Sequence, residues 1–342
     1  MRHLHLVPLL LLVSLLAASG LPAAAPPAAA QPTPRTPVSI ALDWTPNTNH
    51  TGVFVAQQQG WYAAEGLDVT ILPYAEGNSP ESQVAAGRAT FAFSFEEAVT
   101  VARAAGRPLV SLAAVIQHNT SAFVTLADSG LDRPAKLEGT RYAGFGSPFE
   151  EPVIQTVLTC DGAPTGQVQN ITTNVFGFEA LQAHQADFVW IFQGWEGIGA
   201  QRAGVQLNVM SPLDYCVPNY YTPVIVTNEQ LIQQQPDLIR RFMRATSRGY
   251  DLAITSPEQA ADLLIKAAPP GSFPDPGLVA DSAQWLAPRY KEDKPRWGEQ
   301  DLQTWTDYPQ FMVSSGKLLD ANGAPVTQDL NYADFFTNDF LP

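Results

Sequence analysis

Basic residues are scarce in this chain of 342 residues, which has 19 lysines and arginines against 33 aspartates and glutamates. The formal net charge of −14 argues against a nucleic-acid or anionic-membrane surface, because both partners need a positive potential. Cysteine is scarcer still, with only Cys160 and Cys216. Without a Cys-x-x-Cys or His-x-x-Glu-His pattern, these two residues argue against a structural metal site. They leave open one disulfide or two separate buried thiols.

The sequence also lacks the patterns of common catalytic sites. It contains no Gly-x-Ser-x-Gly elbow and no Ser-Lys pattern, and residues 144–146 fail the Gly-x-Gly-x-x-Gly spacing of a dinucleotide site. The best candidate for a catalytic acid–base pair is His50 with Glu150 or Glu196, but no sequence spacing requires these residues to pair. The residues therefore predict neither catalysis nor a cofactor.

The amino-terminal residues have the composition of a leader. Arg2 and two histidines precede an apolar run over residues 9–18, and Ala-Ala-Ala at 28–30 offers a small-residue cleavage site. The run is shorter than the roughly 20 residues that a membrane span needs. We expect a secretory signal peptide over 1–30, an extended proline-rich linker over 31–37, and a mature protein located outside the cytoplasmic membrane.

Short apolar strands alternate with helical stretches through the rest of the chain. Strands over 67–72 and 109–116, for example, are separated by helices that end at glycines. This βαβα rhythm predicts a mostly parallel sheet with helices on both faces. The rhythm restarts after residue 126, and a return strand is expected over 222–227.

The mature chain of about 310 residues is too long for a single typical core. We therefore predict an α/β protein of two lobes, with two crossover strands as the hinge between them. Lobe 1 is expected over 38–126 and 223–342, and lobe 2 over 127–222. Insertion of one lobe into the other creates a cleft.

The stretch over residues 41–56 is the most informative, because an apolar strand turns at once into a polar loop and then a helix. Open α/β sheets bind ligands at the carboxyl ends of their strands. Trp44 in this loop can stack on a flat ligand, with the side chains of Asn49 and His50 at the ligand's edge. The alternatives are that Trp44 plugs the core and that His50 caps its helix.

Loops at other expected strand ends supply further candidates. The loop over 146–151 opens a helix whose free N–H groups can hold an acceptor oxygen. The alternative for Glu150 is that its carboxylate only interacts favourably with the dipole at the helix amino terminus. Tyr74 could equally belong to the core. The complete set of predicted ligand-binding residues is Trp44, Asn49, His50, Tyr74, Ser94, Gln117, Ser147, Phe149, Glu150, Gln193, Trp195 and Glu196.

Three motifs carry a family resemblance over essentially all of the mature chain. They are Asp43-Trp-Thr-Pro-Asn-Thr-Asn-His50, Gly146-Ser-Pro-Phe-Glu-Glu151 and Phe192-Gln-Gly-Trp-Glu-Gly197. In this order they resemble the NMT1/THI5-like solute-binding proteins of ABC importers. The resemblance implies a type II periplasmic-binding-protein fold, no catalysis, a membrane permease as partner, and a flat nitrogen heterocycle as ligand.

Within that family the chain is similar to riboflavin-binding members, which implies riboflavin as the transported ligand. A pyrimidine precursor of thiamine is the alternative. By analogy, Trp44 and Asn49 belong to the pocket floor, and Glu150, Trp195 and Glu196 to the opposing lobe. The family also holds fungal pyrimidine synthases, but their cysteine-rich iron motif is missing here. A third possibility is an envelope protein that binds a peptide, which would need an exposed strand edge.

Overall fold

The computed structural model describes Met1 and residues 34–75, 77–173, 175, 177–327 and 330–342. The expected signal peptide, apart from Met1, lies outside the described residues. Residues 35–342 form one unit. No helix among the described residues is both long enough and apolar enough to cross a membrane.

Ten strands in the described ranges form two sheets. The strands are β1 (Thr36–Ala41), β2 (Leu67–Leu72), β3 (Phe91–Ser94), β4 (Leu109–Ala114), β5 (Ser121–Leu126), β6 (Arg141–Ala143), β7 (Gln169–Ile171), β8 (Phe188–Phe192), β9 (Leu207–Met210) and β10 (Val224–Asn228).

Helices cover both sheets, and many of them begin at a proline or after a polar cap. They are α1 (Thr51–Gln58), α2 (Trp61–Ala64), α3 (Pro80–Ala85), α4 (Glu96–Ala104), α5 (Glu150–Cys160), α6 (Phe178–Gln182), α7 (Ile198–Arg202), α8 (Glu229–Gln234), α9 (Pro236–Thr255), α10 (Pro257–Ala267), α11 (Pro276–Leu286) and α12 (Thr304–Ser314).

Both sheets are mixed rather than mostly parallel. The first has the order β2-β1-β3-β10-β4, and the second β7-β6-β8-β5-β9. β1 is parallel to β2 and β3, but β10 is antiparallel to β3 and β4, and β5 is antiparallel to β8 and β9. The expectation of a mostly parallel sheet is wrong for β5 and β10. Both strands enter from the other sheet, so no βαβ crossover sets their direction.

Two connections join the sheets. The outgoing connection runs over 115–120 and the return over 211–223, and we call them the crossing segments. They are bonded to each other: Val115 N–H donates to the Pro223 carbonyl at 2.9 Å, and Asn119 N–H donates to Asn219 Oδ1 at 3.0 Å. Residues 122–126, which the sequence assigns to lobe 1, lie instead in β5 of the second sheet.

The carboxyl-terminal residues contribute to both cores, although the sequence assigns 223–342 to lobe 1. Trp305 and Phe335 pack with residues of the first sheet, as expected. Tyr308 and Met312, one and two turns further along α12, pack with Phe123 of the second sheet. Successive turns of α12 therefore serve different cores, which the sequence pattern of one helix does not reveal.

The expected linker over 31–37 ends earlier than predicted, since Thr36 and Pro37 already belong to β1. Thr36 N–H donates to the Gly66 carbonyl at 2.8 Å, beside β2. β1 pairs with β3 only at Ile40 and Ala41, so Pro37 has a neighbouring strand on one side alone. A proline is tolerated where its missing N–H faces away from the ladder.

Cys160 and Cys216 form a disulfide, with 6.0 Å between their Cα atoms. Of the two alternatives that the sequence leaves open, the structure therefore has the bridge. It joins the last residue of α5 to the return crossing segment, across a separation of 56 residues.

Candidate functional site

The loop after β1 is shaped by its own polar residues. Asn47 Oδ1 accepts from Asn49 N–H at 2.9 Å, and Asn47 N–H donates to His50 Nδ1 at 3.2 Å. Two buried tyrosines hold the loop from outside: Tyr250 donates to the Asn49 carbonyl at 2.6 Å, and Tyr290 to the Thr48 carbonyl at 2.7 Å. The loop is thus fixed before any ligand arrives, which lowers the entropic cost of binding.

The ring of His50, a predicted ligand contact, is hydrogen-bonded within the protein. The side chain is fully buried, and Nδ1 accepts from Asn47 N–H, so the proton of the neutral ring lies on Nε2. Nε2 then donates to Asp43 Oδ1 at 2.7 Å. Both ring nitrogens are used inside the protein, although the side chain makes no cap bond to α1, so the alternative that His50 caps that helix is wrong. His50 therefore orients Asp43, the residue before Trp44, which the sequence reasoning did not select.

Trp44 and Tyr74 form an aromatic corner at the carboxyl ends of β1 and β2. Both side chains are half-buried, with ring centroids 4.9 Å apart and planes tilted by 46°. The two strands are parallel neighbours, so their ends meet at one edge of the sheet. This corner brings together two predicted ligand contacts and has the chemistry to hold a flat ring.

Ser94, at the end of β3, faces the protein. It is fully buried, and its hydroxyl donates to the Glu81 carboxylate of α3. Burial raises the pKa of Glu81, Ser94 lowers it, and the nearby Asp43 raises it further. Ser94 therefore supports a buried carboxyl group behind the aromatic corner rather than offering its hydroxyl to a ligand.

Glu150 shapes the loop after β6 from within. Its Oε2 accepts from Tyr142 Oη at 2.7 Å and from Phe145 N–H at 3.0 Å, and its Oε1 accepts from Ser147 N–H. A Cβ at Gly144 would lie 1.8 Å from Glu150 Oε2, so any other residue there would displace the Glu150 carboxylate. The predicted ligand contacts Glu150 and Ser147 thus bond each other, and their first role is to fix the loop.

Phe149, just before α5, is mostly a wall residue. Its side chain is buried and lies edge-on to Phe95 at 6.1 Å and to Trp190 at 6.3 Å between ring centroids. Phe95 follows the first sheet and Trp190 lies in the second. The three rings therefore close the space between the two sheets.

A π-helical turn, Gln193–Gly197, follows β8 and carries three predicted residues. Gln193, Trp195 and Glu196 are all half-buried. Glu196 Oε2 accepts from Phe192 N–H at 3.0 Å. Burial, with a smaller contribution from the Glu179 carboxylate, raises the pKa of Glu196 to about 7, although the hydrogen bond from the Phe192 amide acts to lower it. Near neutral pH this carboxyl group can both donate and accept hydrogen bonds.

A pocket of about 390 Å³ opens beside this turn, between α7 and α11. Trp195 and Glu196 line it, and Trp195 also lies edge-on to Phe273 at 6.1 Å. Arg202 of α7 closes one side through two bonds to Asp275, at 2.9 and 3.1 Å. The pocket lies at the boundary between the elements of the two sheets.

One buried serine connects the two halves of the candidate site. Ser282 of α11 donates to the Gly194 carbonyl in the π-helical turn and bonds the Thr48 hydroxyl in the loop after β1. The Trp44 loop and the Trp195 turn are therefore two hydrogen bonds apart. Sequence reasoning missed Ser282, because a serine inside an amphipathic helix carries no signal of its partners.

Gln117 differs from the other polar candidates. It lies in the outgoing crossing segment and is 1 % exposed. Its backbone N–H donates to the Arg289 carbonyl at 3.2 Å. In the described part of the chain, neither side-chain atom of its amide has a hydrogen-bond partner. Asn119 Nδ2 and Ser121 Oγ, which the prediction did not include, share this property.

The pKa of Glu97 implies that the stability of the folded protein depends on pH. Burial raises its pKa to about 8, against 4.5 ordinarily, although Tyr220 beside it lowers the pKa. Between these values the folded state holds a proton that the unfolded state releases, so the free energy of unfolding falls as pH rises. We expect Glu97→Gln to flatten this fall by about 1.4 kcal/mol per pH unit.

Denaturant unfolding from about pH 5 to about pH 8 measures this slope. Glu258→Gln, which makes the same change at an exposed site on α10, is the control and should keep the wild-type slope. Equal slopes for Glu97→Gln and wild type would mean that Glu97 is charged in the folded protein.

Comparisons with known proteins agree with this architecture. The NMT1/THI5-like family profile matches residues 47–260. The formylaminopyrimidine-binding protein of Halalkalibacterium halodurans is 29% identical over 275 residues, which cover 79% of this chain and 82% of that protein. The riboflavin-binding protein RibY of Chloroflexus aurantiacus is 29% identical over 314 residues, which cover 89% and 86%.

Among solved structures, the alkanesulfonate-binding protein SsuA of Xanthomonas axonopodis pv. citri has a TM-score of 0.64 at 13% identity, covering 86% of this chain and 97% of that one. At this identity the likeness concerns the fold alone. The predicted α/β periplasmic-binding-protein fold is confirmed. With more than half of its length matched by the family profile, the chain belongs to the NMT1/THI5-like family.

Proposed function

We propose that this protein is the extracytoplasmic solute-binding component of an ABC importer, and that it captures riboflavin for delivery to a membrane permease. The aromatic corner of Trp44 and Tyr74 carries the proposal, because two half-buried rings at adjacent strand ends suit a flat heterocycle. The similarity to RibY along 89% of the chain supports the choice of ligand.

The residues around the corner suit binding rather than turnover. Trp195 would cover the second face of the ring, since its turn is linked to the Trp44 loop through Ser282. Asn49 and Glu196 would bond the ring's edge, where flavin carbonyl and N–H groups need both acceptors and donors. A ligand that contacts both lobes favours the closed state by its differential affinity.

A second candidate ligand is formylaminopyrimidine. It is supported by the relative from Halalkalibacterium halodurans, which is as identical to this chain as RibY is. A single small ring would also stack against the aromatic corner of Trp44 and Tyr74. The importer function is common to both candidates.

A fluorescence titration decides between the ligands. We expect riboflavin to lose its fluorescence on binding, because an indole stacked on the ring quenches the flavin. Unlabelled formylaminopyrimidine added to the complex should then fail to restore the signal at comparable concentration.

Binding of the pyrimidine at low concentration, with no quenching by riboflavin, would exclude the flavin and leave the importer function standing. Incubation with either compound, followed by product analysis, tests the remaining alternative. Any product would contradict transport and favour a pyrimidine synthase.

A further inference from the structure

Buried polar residues lie along the two crossing segments and at the start of β5 and α4. Gln117 and Asn119 belong to the outgoing segment, Ser121 begins β5, Tyr220 lies in the return segment, and Glu97 lies in the first turn of α4. All five side chains are at most 7 % exposed. We call these five residues the crossing cluster.

Tyr220 stands at the centre of the crossing cluster. Its hydroxyl lies within reach of the side chains of Glu97, Asn119 and Ser121. Asn119 Oδ1 accepts from Ser121 N–H at 2.6 Å, which leaves Nδ2 as the end of that amide that can donate to another group. Polar atoms from three separate parts of the chain therefore converge on one place.

The crossing cluster contains more hydrogen-bonding capacity than it uses. Within the described residues, six of its side-chain atoms are buried without a well-formed hydrogen bond: Glu97 Oε2, Gln117 Oε1 and Nε2, Asn119 Nδ2, Ser121 Oγ and Tyr220 Oη. Each such atom costs folding stability unless a partner satisfies it. The set includes amide N–H donors, a carbonyl acceptor and hydroxyls that do both, which matches a chain of hydroxyl groups.

The crossing cluster adjoins the candidate ligand site. Tyr220 lies close to Tyr142, whose hydroxyl donates to Glu150 in the loop after β6. Glu97 follows Phe95, whose ring meets Phe149 across the two sheets. The outgoing crossing segment is also bonded to the π-helical turn, because the backbone N–H of Gln193 donates to the Thr120 carbonyl at 3.0 Å.

We propose that the crossing cluster is a second subsite, which binds a hydroxyl-rich chain attached to the ligand's ring. This inference rests on the proposed function, because riboflavin carries a ribityl chain of this chemistry. Gln117 would supply both an acceptor and a donor, and Asn119, Ser121 and Tyr220 would bond the remaining hydroxyls. A thiamine pyrimidine lacks such a chain and would leave the subsite to water.

The test compares riboflavin with lumiflavin, which has the same ring system and a methyl group in place of the ribityl chain. We expect wild-type protein to bind riboflavin at least about tenfold more tightly than lumiflavin. The ribityl hydroxyl groups would form hydrogen bonds with the buried polar atoms, whereas lumiflavin would leave those atoms unsatisfied. Gln117→Leu keeps the side-chain volume and removes the amide, so it should reduce this preference several-fold.

Ser121→Ala and Ser247→Ala form a matched pair for the same titrations. Both remove a buried hydroxyl that forms no well-formed hydrogen bond within the described residues, but Ser247 lies on α9, away from the crossing segments. We expect only Ser121→Ala to reduce the preference for riboflavin. Thermal melts of all variants separate loss of binding from loss of folding.

The outcomes distinguish the subsite from the ligand assignment. Equal affinities of riboflavin and lumiflavin for wild-type protein would overturn the subsite and leave flavin binding intact. An unchanged preference in both Gln117→Leu and Ser121→Ala would overturn it as well. Binding of neither flavin would overturn the proposed ligand and the assignment of its chain together.

Discussion

Replacing Trp44 with alanine is expected to weaken riboflavin binding by about 1–3 kcal/mol while the protein stays folded. The loop around Trp44 is held by Asn47, His50 and Tyr250, none of which depends on the indole ring. The substitution therefore removes the indole face on which the ligand would stack and leaves the loop in place. Calorimetry of ligand binding measures the effect, and a thermal melt of the same variant reports on folding.

Trp61→Ala is the matched control for this experiment. Trp61 is also half-buried, but it lies before β2, at the opposite end of that strand from Tyr74, with the Arg248 guanidinium 4.4 Å from its ring centroid. Its loss should lower stability and leave the affinity unchanged. If Trp44→Ala instead kept the wild-type affinity with a lower melting temperature, Trp44 would be a core residue.

Replacing Cys160 and Cys216 together with serine is expected to lower the free energy of unfolding by about 4 kcal/mol. The bridge closes a loop with a separation of 56 residues, and removing it restores the conformational freedom of that loop in the unfolded chain. It also frees the return crossing segment from α5. Denaturant unfolding of the oxidised protein and the double variant measures the difference.

The wild-type protein under reducing conditions serves as the comparison, since it lacks the bridge without any substitution. It should unfold at the denaturant concentration of the double variant. A double variant as stable as the oxidised wild type would show that the bridge does not contribute to the free energy of unfolding.

Much of the candidate site follows from local sequence. β2 occupies the predicted residues 67–72, because its apolar and polar residues alternate with the strand period. Trp44 and Tyr74 follow neighbouring parallel strands, so the βαβ pattern places both loops at one sheet edge, whereas the contact of the two rings is known only from the structure. The family motif around them is equally local, and it predicted the periplasmic-binding-protein fold.

The roles of His50, Ser94 and Glu150 could not be predicted in this way. Each is a polar residue at a strand end, which is the pattern of a ligand contact. Each is nevertheless buried and bonded to the protein: His50 to Asp43, Ser94 to Glu81, and Glu150 to Tyr142. A sequence shows which atoms can form hydrogen bonds, but it does not show whether the partner is a ligand or a residue elsewhere in the fold.

By itself, the sequence determined the α/β class, the family and the absence of common catalytic motifs, because these depend on short-range periodicity and on neighbouring residues. Only the tertiary structure decided the antiparallel insertion of β5 and β10, the disulfide and the crossing cluster. Those features join residues that are far apart in sequence. Their pairing depends on the packing of the whole chain, because every buried apolar group must be packed and every buried polar group hydrogen-bonded in the same structure.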